Sequence, residues 1–412
     1  MPGFQCEVNN NNLGSRFLLS VLSEVESSVL MDPWIQHSTF SNQNGATNPF
    51  HDRSLDGSCL TPCNMVKDEL PTMPFRDRVE LLNVIKACRK GKDLWKVRRI
   101  HSLIMDQNLI SKDVHIGTAL IITYTKCGVM EKAQEIFDKL PVRDVVSWNS
   151  LIAGYVQHGN AEKALYCFEQ MQHERISPDL VTFISSLVSC ANVGAMGKGQ
   201  EIHTEITKRG LEKETLIGNG LIDLYIKCGS CTTAKYIFDN LHIWTIVSWN
   251  TLITGYTQLA ENENVLELFN IMLKGGILPD LVTFLNVFNA CSHAGLVDMV
   301  ETYFEAMINE FYLIPAVEHY NCLVDLFGRA GNIDKAVAMI KKMPLHPGTV
   351  LLQTLLASCR WCGNVDIARL AFGNVVSSDN SEDAVYICMY NIYIEAAMQE
   401  DANKVELMRA RQ

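Results

Sequence analysis

The sequence predicts an all-α fold, a right-handed α-solenoid superhelix of stacked antiparallel helical hairpins. Two segments are near copies of each other: Val145 opens VVSWNSLIAGY and Ile246 opens IVSWNTLITGY. Position 145 corresponds to position 246, an offset of 101 residues, and the same offset links Cys190 to Cys291. Apolar residues in the first copy fall at i, i+3, i+4 and i+7, which is one face of a helix. The chain is therefore an array of helical units.

The unit at 145–179 shows how one hairpin is encoded. Its first helix has an apolar face that includes Trp148 and Tyr155, and Gly159-Asn160 then supplies a turn. A second apolar stripe follows, and Pro178 stops the second helix. The same reading in both directions predicts further hairpins at 78–113, 114–144, 180–214, 215–245, 246–280, 281–316, 317–348, 349–382 and 383–412.

Composition limits the classes of function. The chain has 412 residues, of which 48% are hydrophobic, yet no run of about eighteen apolar residues predicts a membrane span. A net charge of −11 argues against holding a polyanion by bulk charge. The basic run from Lys86 to Arg99 supplies local positive charge, either for phosphate contacts or as a solvated helix face. Residues 1–77 lack the repeat pattern and the features of a secretory or organellar leader, so we expect them to be disordered.

The 14 cysteines recur at equivalent places of the array, such as Cys127 with Cys228 and Cys190 with Cys291. Equivalent positions in a stack of repeats point the same way, about one turn apart. These cysteines are therefore predicted to be small buried apolar residues rather than disulfide partners, which fits a reducing compartment.

Three strings identify a family by resemblance. They are VVSWNSLIAGYVQHGNAEKALYCFEQM, LIGNGLIDLYIKCGSCTTAKYIFDNL and VEHYNCLVDLFGRAGNIDKAVAMIKKMP. They resemble the standard, short and final short motifs of plant pentatricopeptide repeat proteins of the mixed-length class. The resemblance covers residues 78–412 and implies a repeat array at 78–348, of about eight hairpins, followed by an E-type extension at 349–412. In the extension, Leu352-Gln353 replaces the expected Trp-Gly, and the second motif is incomplete.

The rival assignment is the tetratricopeptide repeat, a protein-binding scaffold that also has a period of about 34 residues. It leaves unexplained the cycle of 35- and 31-residue units, exemplified by 145–179 and 215–245. It also leaves unexplained the recurrence of Asn at the fifth position with Asp at the last position.

The fifth and last residues of each unit are the predicted base-reading groups. If the hairpins stack in register, the first helices line the concave face, and these two residues lie side by side in the groove. Amide, hydroxyl and carboxylate groups can pair with the edge of an unstacked base. The predicted base-reading residues are Thr118, Asp144, Asn149, Asp179, Asn219, Thr245, Asn250, Asp280 and Asn321. The alternative is that the aspartates merely cap the helices that follow them.

The resemblance gives these pairs a meaning. It implies that Asn with Asp favours uridine and that Thr with Asp favours guanosine; Asn219 with Thr245 and Asn321 with Gly348 suggest a pyrimidine. The predicted target is G-U-n-Y-U-n-Y-n-n-n-C, where Y is a pyrimidine and C an edited cytidine. Apolar residues at second positions are candidates for sandwiching bases or for ordinary packing: Val146, Val181, Leu216 and Val247.

The function implied by the resemblance is recognition of a site in single-stranded organellar RNA for C-to-U editing. The terminal deaminase domain of many relatives is absent from this sequence, so the chain is expected to be no enzyme and to need no cofactor. A deaminase-bearing pentatricopeptide repeat protein and small organellar editing factors are the expected partners, with no membrane involved. The mitochondrion is the expected compartment, with the chloroplast as the alternative. A role in RNA stability, splicing or translation without editing is the second hypothesis.

Three patterns imitate enzyme sites. His203-x-Glu205 and Cys359-x-x-Cys362 imitate a zinc deaminase, but they lie in different hairpins and no Pro precedes Cys359. Cys59 and Cys63 lie near His51 without a second ligand pair. The run from Gly194 to Gly199 lacks the Ser or Thr of a phosphate loop. We therefore predict no metal or nucleotide site.

Overall fold

The computed structural model describes residues 78–110, 113–344, 348–376 and 383–410. All regular structure in these residues is helical, which confirms the predicted all-α class. The chain divides into two compact units, one ending at Val193 and one starting at Gly194, and each is described by itself. None of the described helices has both the length and the apolar content needed to cross a bilayer. The expectation of disorder for residues 1–77 falls outside the described residues.

The described part of the first compact unit contains seven helices. They are α1 (Arg78–Gly91), α2 (Leu94–Asp106), α3 (Val114–Lys126), α4 (Met130–Asp138), α5 (Val145–Gln157), α6 (Ala161–His173) and α7 (Leu180–Val193). The odd-numbered helices begin at the first residues of the predicted repeat units. The division of the array into repeats and an E-type extension stays a prediction.

The described part of the second compact unit continues the same alternation. Its helices are α8 (Met196–Lys208), α9 (Thr215–Lys227), α10 (Cys231–Asp239), α11 (Ile246–Gln258), α12 (Asn262–Lys274), α13 (Leu281–Ala294), α14 (Val297–Asn309), α15 (Val317–Arg329), α16 (Ile333–Lys342), α17 (Thr349–Cys362), α18 (Val365–Val376), α19 (Asp383–Glu395) and α20 (Gln399–Arg409).

The first helix of each hairpin is surrounded by its neighbours. Helix α5 contacts α3, α4, α6 and α7, and α11 contacts α9, α10, α12 and α13 in the same way. Because four helices enclose it, α5 buries residues on most of its circumference. The second helix α6 buries a single stripe that includes Ala164, Phe168 and Met171. The apolar content of the first helices thus follows from their position in the stack.

Successive first helices approach each other closely at a glycine. A Cβ atom added to Gly154 would lie 2.5 Å from Cγ2 of Thr125 on α3, and one added to Gly255 would lie 2.6 Å from Cγ2 of Ile226 on α9. Both distances are shorter than carbon atoms tolerate, so these two positions of the repeat admit no larger residue without a shift. The close approach holds the last turns of successive first helices together.

The Lys-Cys-Gly motif forms the turn between the two helices of a short hairpin. Gly128 and Gly229 have φ values of +78° and +79°, a left-handed conformation that costs glycine little. Cys127 and Cys228, which precede them, are half-buried, whereas Cys190 and Cys291 are fully buried. The prediction that all four are buried apolar residues is therefore wrong for the turn pair, because a helix end exposes part of its last turn.

Candidate nucleic-acid interface

The tryptophan that precedes Asn149 and Asn250 is a core residue. Trp148 meets Phe137 edge to face with ring centroids 4.6 Å apart, and Trp249 meets Phe238 in the same way at 4.8 Å. Both tryptophans are buried. Aromatic pairs of this kind add to the stability that burial provides. The recurrence of Trp is thus a packing requirement, and it anchors the turn of helix that carries the asparagine.

The structure joins Asn149 to Asp179. Nδ2 of Asn149 donates to both carboxylate oxygens of Asp179, at 2.9 and 3.0 Å. Asn149 stands at the fifth position of its unit, on α5, and Asp179 is the last residue of the same unit, just before α7. A hydrogen bond to an ionised group is stronger than one between neutral groups. Two residues 30 positions apart therefore form one polar pair.

The second copy repeats this pair. Nδ2 of Asn250 donates to both carboxylate oxygens of Asp280, each at 3.0 Å. Asn250 lies on α11, and Asp280 precedes α13. The agreement to about 0.1 Å between the two copies shows that the geometry belongs to the repeat rather than to one location.

A threonine from the following unit completes each pair. The hydroxyl of Thr182 contacts Oδ1 of Asn149 at 2.6 Å, and that of Thr283 contacts Oδ1 of Asn250 at 2.7 Å. Each threonine is the third residue of the next unit and is buried. The chemical signal for this contact was present in the repeated string Pro-Asp-Leu-Val-Thr-Phe, but the sequence reasoning did not assign a role to its threonine.

The aspartates also cap the helices that follow them. The backbone N–H of Thr182 donates to Oδ1 of Asp179 at 2.9 Å, and the N–H of Asp179 donates back to the Thr182 hydroxyl at 3.1 Å. Asp280 and Thr283 form the same reciprocal box, at 2.9 and 3.1 Å. The capping role that was weighed as the alternative is therefore present together with the bond to asparagine. One carboxylate performs both.

The exposure of the pairs determines what a ligand could touch. Asn149 is only 8% exposed, whereas Asp179 beside it is exposed. Asn250 and Asp280 are both half-buried. The second-position residues lie nearby in sequence and are partly accessible: Val146 is 41% exposed, and Val181, Leu216 and Val247 are half-buried.

The unit at 114–144 is arranged differently. The hydroxyl of Thr118 donates to the Val114 carbonyl of its own helix at 2.9 Å. The carboxylate of Asp144 accepts from the backbone N–H of Ser147 at 2.8 Å, as a helix cap. Each predicted base-reading residue of this unit therefore has a local partner, and the direct bond seen between Asn and Asp has no counterpart in these contacts.

The unit at 215–245 carries an asparagine without the network. Asn219 is 1% exposed, and its Oδ1 finds no hydrogen-bond partner. Thr245 accepts the backbone N–H of Ser248 at 3.2 Å and lies 3.1 Å from its hydroxyl oxygen. A buried carbonyl oxygen left without a donor costs about 1–3 kcal/mol. The half-buried Asn321 likewise has a partnerless Oδ1, and Gly348 ends its unit without a side chain.

The residues of the enzyme-like patterns have structural partners. Nδ1 of His203 lies 2.8 Å from the hydroxyl oxygen of Tyr225, and burial lowers the His203 pKa. Burial also raises the pKa of Cys359 to about 12, so its thiol stays protonated near neutral pH. Within the described residues, no three His, Cys, Asp or Glu side chains form a group that could hold a metal. Cys59, Cys63 and His51 lie outside the described residues.

Family models of the pentatricopeptide repeat match five segments of the sequence. The PPR repeat family matches residues 143–192 and 245–293, and the PPR repeat matches residues 118–145, 282–310 and 318–346. The chain contains pentatricopeptide repeats. These segments include both Asn–Asp–Thr networks, so the matched repeats are the ones that carry the recurring geometry.

Proteins of Arabidopsis thaliana are similar along most of the chain. A putative mitochondrial pentatricopeptide repeat-containing protein is 36% identical over 332 residues, covering 81% of this chain and 53% of that protein. The chloroplastic pentatricopeptide repeat-containing protein CRR2 is 35% identical over 336 residues, covering 80% and 51%. The chain thus spans about half the length of these curated relatives.

Solved pentatricopeptide repeat structures share the fold. The crystal structure of PPR10 in complex with an 18-nt psaJ RNA element superposes with a TM-score of 0.65 at 17% identity, covering 81% of this chain and 50% of that chain. The crystal structure of PPR10 from maize gives a TM-score of 0.54 at 18% identity, covering 81% and 54%. At this level of identity the likeness establishes the α-solenoid fold alone.

Proposed function

We propose that this chain binds single-stranded RNA of a plant organelle and reads its sequence one base per hairpin. The observation that carries the proposal is the identical pairing of Asn149 with Asp179 and of Asn250 with Asp280. In both units the pair lies beside a partly accessible apolar residue, and its amide and carboxylate are groups that can pair with the edge of an unstacked base. The RNA bound in the PPR10 complex supports the substrate class.

The pairs offer a base both donors and acceptors. One N–H of the asparagine amide bonds the carboxylate, which leaves its second N–H and one lone pair of Oδ1 for a ligand. Uracil presents acceptors on either side of an N–H donor along its Watson–Crick edge. Such a base suits a site that combines an amide with a carboxylate. In line with what the family resemblance implies, we assign uridine to the units that contain Asn149 and Asn250, and guanosine to the unit with Thr118 and Asp144.

The proposal extends to RNA editing. In it the chain marks a cytidine downstream of the sequence G-U-n-Y-U-n-Y, and a deaminase-bearing pentatricopeptide repeat protein supplies catalysis in trans. Small organellar editing factors assist as further partners. The likeness of the hairpin at 349–376 to an E-type motif supports this role. The names of the relatives support an organelle, and we place the chain in the mitochondrion, with the chloroplast as the alternative.

Binding measurements test the reading of bases. Purified chain is titrated with labelled RNA that carries G-U-n-Y-U-n-Y, and with the same RNA after both U positions become A. Loss of about 1–3 kcal/mol per mismatched base would weaken binding by roughly fivefold to more than a hundredfold at each site. Equal affinity for the two RNAs would refute the assignment. The salt concentration is held constant, because phosphate contacts depend on it steeply.

Sequencing of organellar cDNA tests the role in editing. In a plant line without this chain, conversion should be lost at one or a few cytidines that follow the predicted sequence. Normal editing across all organellar transcripts, together with altered transcript ends or levels, would replace the editing role by one in RNA stability. The binding proposal would survive that outcome.

A further inference from the structure

We propose that the third residue of the following unit, Thr182 or Thr283, sets the base selectivity of these two repeats by fixing the orientation of the asparagine amide. The inference rests on the proposed function, because it concerns how that same site reads a base. It moves part of the recognition machinery out of the unit that reads the base and into the next unit. Each threonine acts as a positioning residue, without touching the RNA.

An asparagine needs such a partner because its amide can rotate. A half-turn about the last side-chain bond exchanges the oxygen with the nitrogen, so that an acceptor faces the base where a donor stood. The amide atoms are distinguished by their surroundings rather than by shape. For Asn149 the surroundings are a carboxylate on one side and a hydroxyl on the other. Selectivity therefore requires that both surroundings favour one orientation.

The carboxylate gives one half of this preference. Asp179 accepts from Nδ2 through both of its oxygens, and a rotated amide would place its carbonyl oxygen against them. Asp179 is exposed, however, so water and an incoming base compete for its oxygens. This competition weakens the hydrogen bond between the carboxylate and the amide. The carboxylate alone therefore does not fix the orientation of the amide when RNA binds.

The threonine gives the other half of this preference, and its hydroxyl is buried. Thr182 is buried, so its hydroxyl bond to Oδ1 of Asn149 is shielded from water. The hydroxyl has one hydrogen, and its contact with Oδ1 of Asn149 at 2.6 Å is shorter than that with Oδ1 of Asp179 at 2.9 Å. We assign the hydrogen to the asparagine. The oxygen lone pair then accepts the backbone N–H of Asp179 at 3.1 Å.

This relay ties the amide to the backbone. The N–H of Asp179 orients the Thr182 hydroxyl, and the hydroxyl orients the Asn149 carbonyl oxygen. The branched side chain of threonine has restricted rotation about its first bond, which keeps the hydroxyl in place. The same relay runs from Asp280 through Thr283 to Asn250, at 3.1 and 2.7 Å. Rotation of the amide would bring its N–H₂ group to the threonine hydroxyl, which would then have to turn its hydrogen from the asparagine to Oδ1 of the aspartate.

The chain contains its own comparison for this role. At Asn219 the third residue of the next unit is Ser248, whose hydroxyl oxygen lies beside that of Thr245, and the amide oxygen has no donor. Nothing in those contacts favours one orientation of that amide. We therefore expect this unit to discriminate less sharply among bases than the two units with threonine.

The test replaces each threonine by valine, which keeps the shape and removes the hydroxyl. Binding of wild type, Thr182→Val and Thr283→Val is measured with RNAs that carry U, C, A or G at the nucleotide read by each unit. Loss of a bond worth about 1–1.5 kcal/mol reduces the preference for U by roughly fivefold to tenfold. Each variant should lose preference only at its own nucleotide, and Thr182→Ser should restore it.

Controls separate positioning from folding. Thr123 is equally buried and its hydroxyl donates at 2.7 Å to the carbonyl of Ala119 in its own helix, so Thr123→Val removes a comparable bond away from the site. That variant should keep wild-type selectivity at both nucleotides. Unchanged selectivity in both threonine variants, or a uniform loss of affinity for every RNA, would overturn the inference. If wild type itself shows no preference, the proposed reading of bases fails first and the inference falls with it.

Discussion

Three asparagines occupy the same place on three first helices, yet their surroundings differ. Asn149 and Asn250 each bond a carboxylate and a threonine hydroxyl, whereas Asn219 keeps a buried carbonyl oxygen without a donor. The residue type and the helical position are equal. The difference comes from two other positions, the last residue of the unit and the third residue of the next one. The surroundings of the asparagine are therefore not determined by its own repeat alone.

The chemistry of the last residue explains the difference. A carboxylate has two oxygens and can cap the next helix while it accepts from an amide. Thr245 has a single oxygen, which is engaged by the helix cap formed with Ser248. No second acceptor remains for Asn219. The residue at the end of a unit thus decides whether the cap and the amide compete or cooperate.

The largest effect is expected from the buried tryptophan that precedes the asparagine in both copies. Trp148→Ala and Trp249→Ala each remove a buried ring packed against a phenylalanine, and each should lower the stability of the hairpins around it by about 3–5 kcal/mol. Denaturant titration followed by circular dichroism measures the loss. Similar losses in the two variants would support the equivalence of the two copies.

Trp95→Ala is the matched control for these substitutions. Trp95 is 63% exposed, so its replacement should change stability by less than about 0.5 kcal/mol. If Trp249→Ala proved no more destabilising than Trp95→Ala, the packing role of the repeated tryptophan would be wrong. Selective loss of RNA binding at full stability would instead assign the ring a contact with RNA.

Much of the fold followed from the sequence because the repeat determines it. The predicted start of the unit at 145–179 is the first residue of α5, and its turn and final proline lie between helices as expected. Such signals are local. The half-buried state of Cys127 could not be predicted in this way, because exposure at a helix end depends on the next hairpin.

The site was predictable only in part. The recurrence of Asn149 and Asn250 with an aspartate 30 residues later indicated a pair, and the structure places each pair within hydrogen-bond distance. The threonine contact joins residues 33 positions apart across a unit boundary. In the sequence, this threonine is only one more residue that is identical in the two copies. The burial of Asn219 and Asn149 depends on neighbouring helices, and the repeat pattern does not encode it.

An intermediate effect is expected from rebuilding the network where it is missing. Thr245→Asp combined with Ser248→Thr gives the unit at 215–245 the residues found around Asn149 and Asn250. The new hydroxyl would supply the donor that Oδ1 of Asn219 lacks, which should raise stability by about 1 kcal/mol. The preference at the corresponding nucleotide should shift from either pyrimidine towards uridine. Denaturation and RNA-binding measurements test the two consequences separately.

Ser147→Thr is the control for the rebuilt unit. It makes the same change after an aspartate, Asp144, but the fifth residue there is Thr118, which has no amide to hold. We expect neither a gain in stability nor a change in base preference. A gain of similar size in this variant would show that threonine acts through the helix cap alone, and the difference between the asparagines would lose its explanation.

The smallest effect is expected where histidine occupies the third position. Nδ1 of His319 accepts the backbone N–H of Ala316 at 3.1 Å, and Nε2 lies 2.9 Å from the Leu281 carbonyl oxygen. Because Nδ1 must carry a lone pair, the ring is neutral and Nε2–H is the donor. Burial lowers the His319 pKa from its ordinary value near 6.5, although the hydrogen bond to the Leu281 carbonyl oxygen and the nearby Glu318 oppose the shift.

The sign of the pH dependence follows from that lowered pKa. As pH falls below about 6.5, the unfolded chain takes up the proton before the folded chain does, so the stability contributed by neutral His319 declines. His319→Thr keeps a hydroxyl for the cap, as at Thr182, and removes the titration. The stability difference between wild type and this variant should therefore shift against wild type by a few tenths to about 1 kcal/mol between pH 7 and pH 5. His101 and His203 titrate in both proteins and cancel, so a difference that stayed constant with pH would mean that His319 is protonated without loss and that its cap does not depend on the neutral ring.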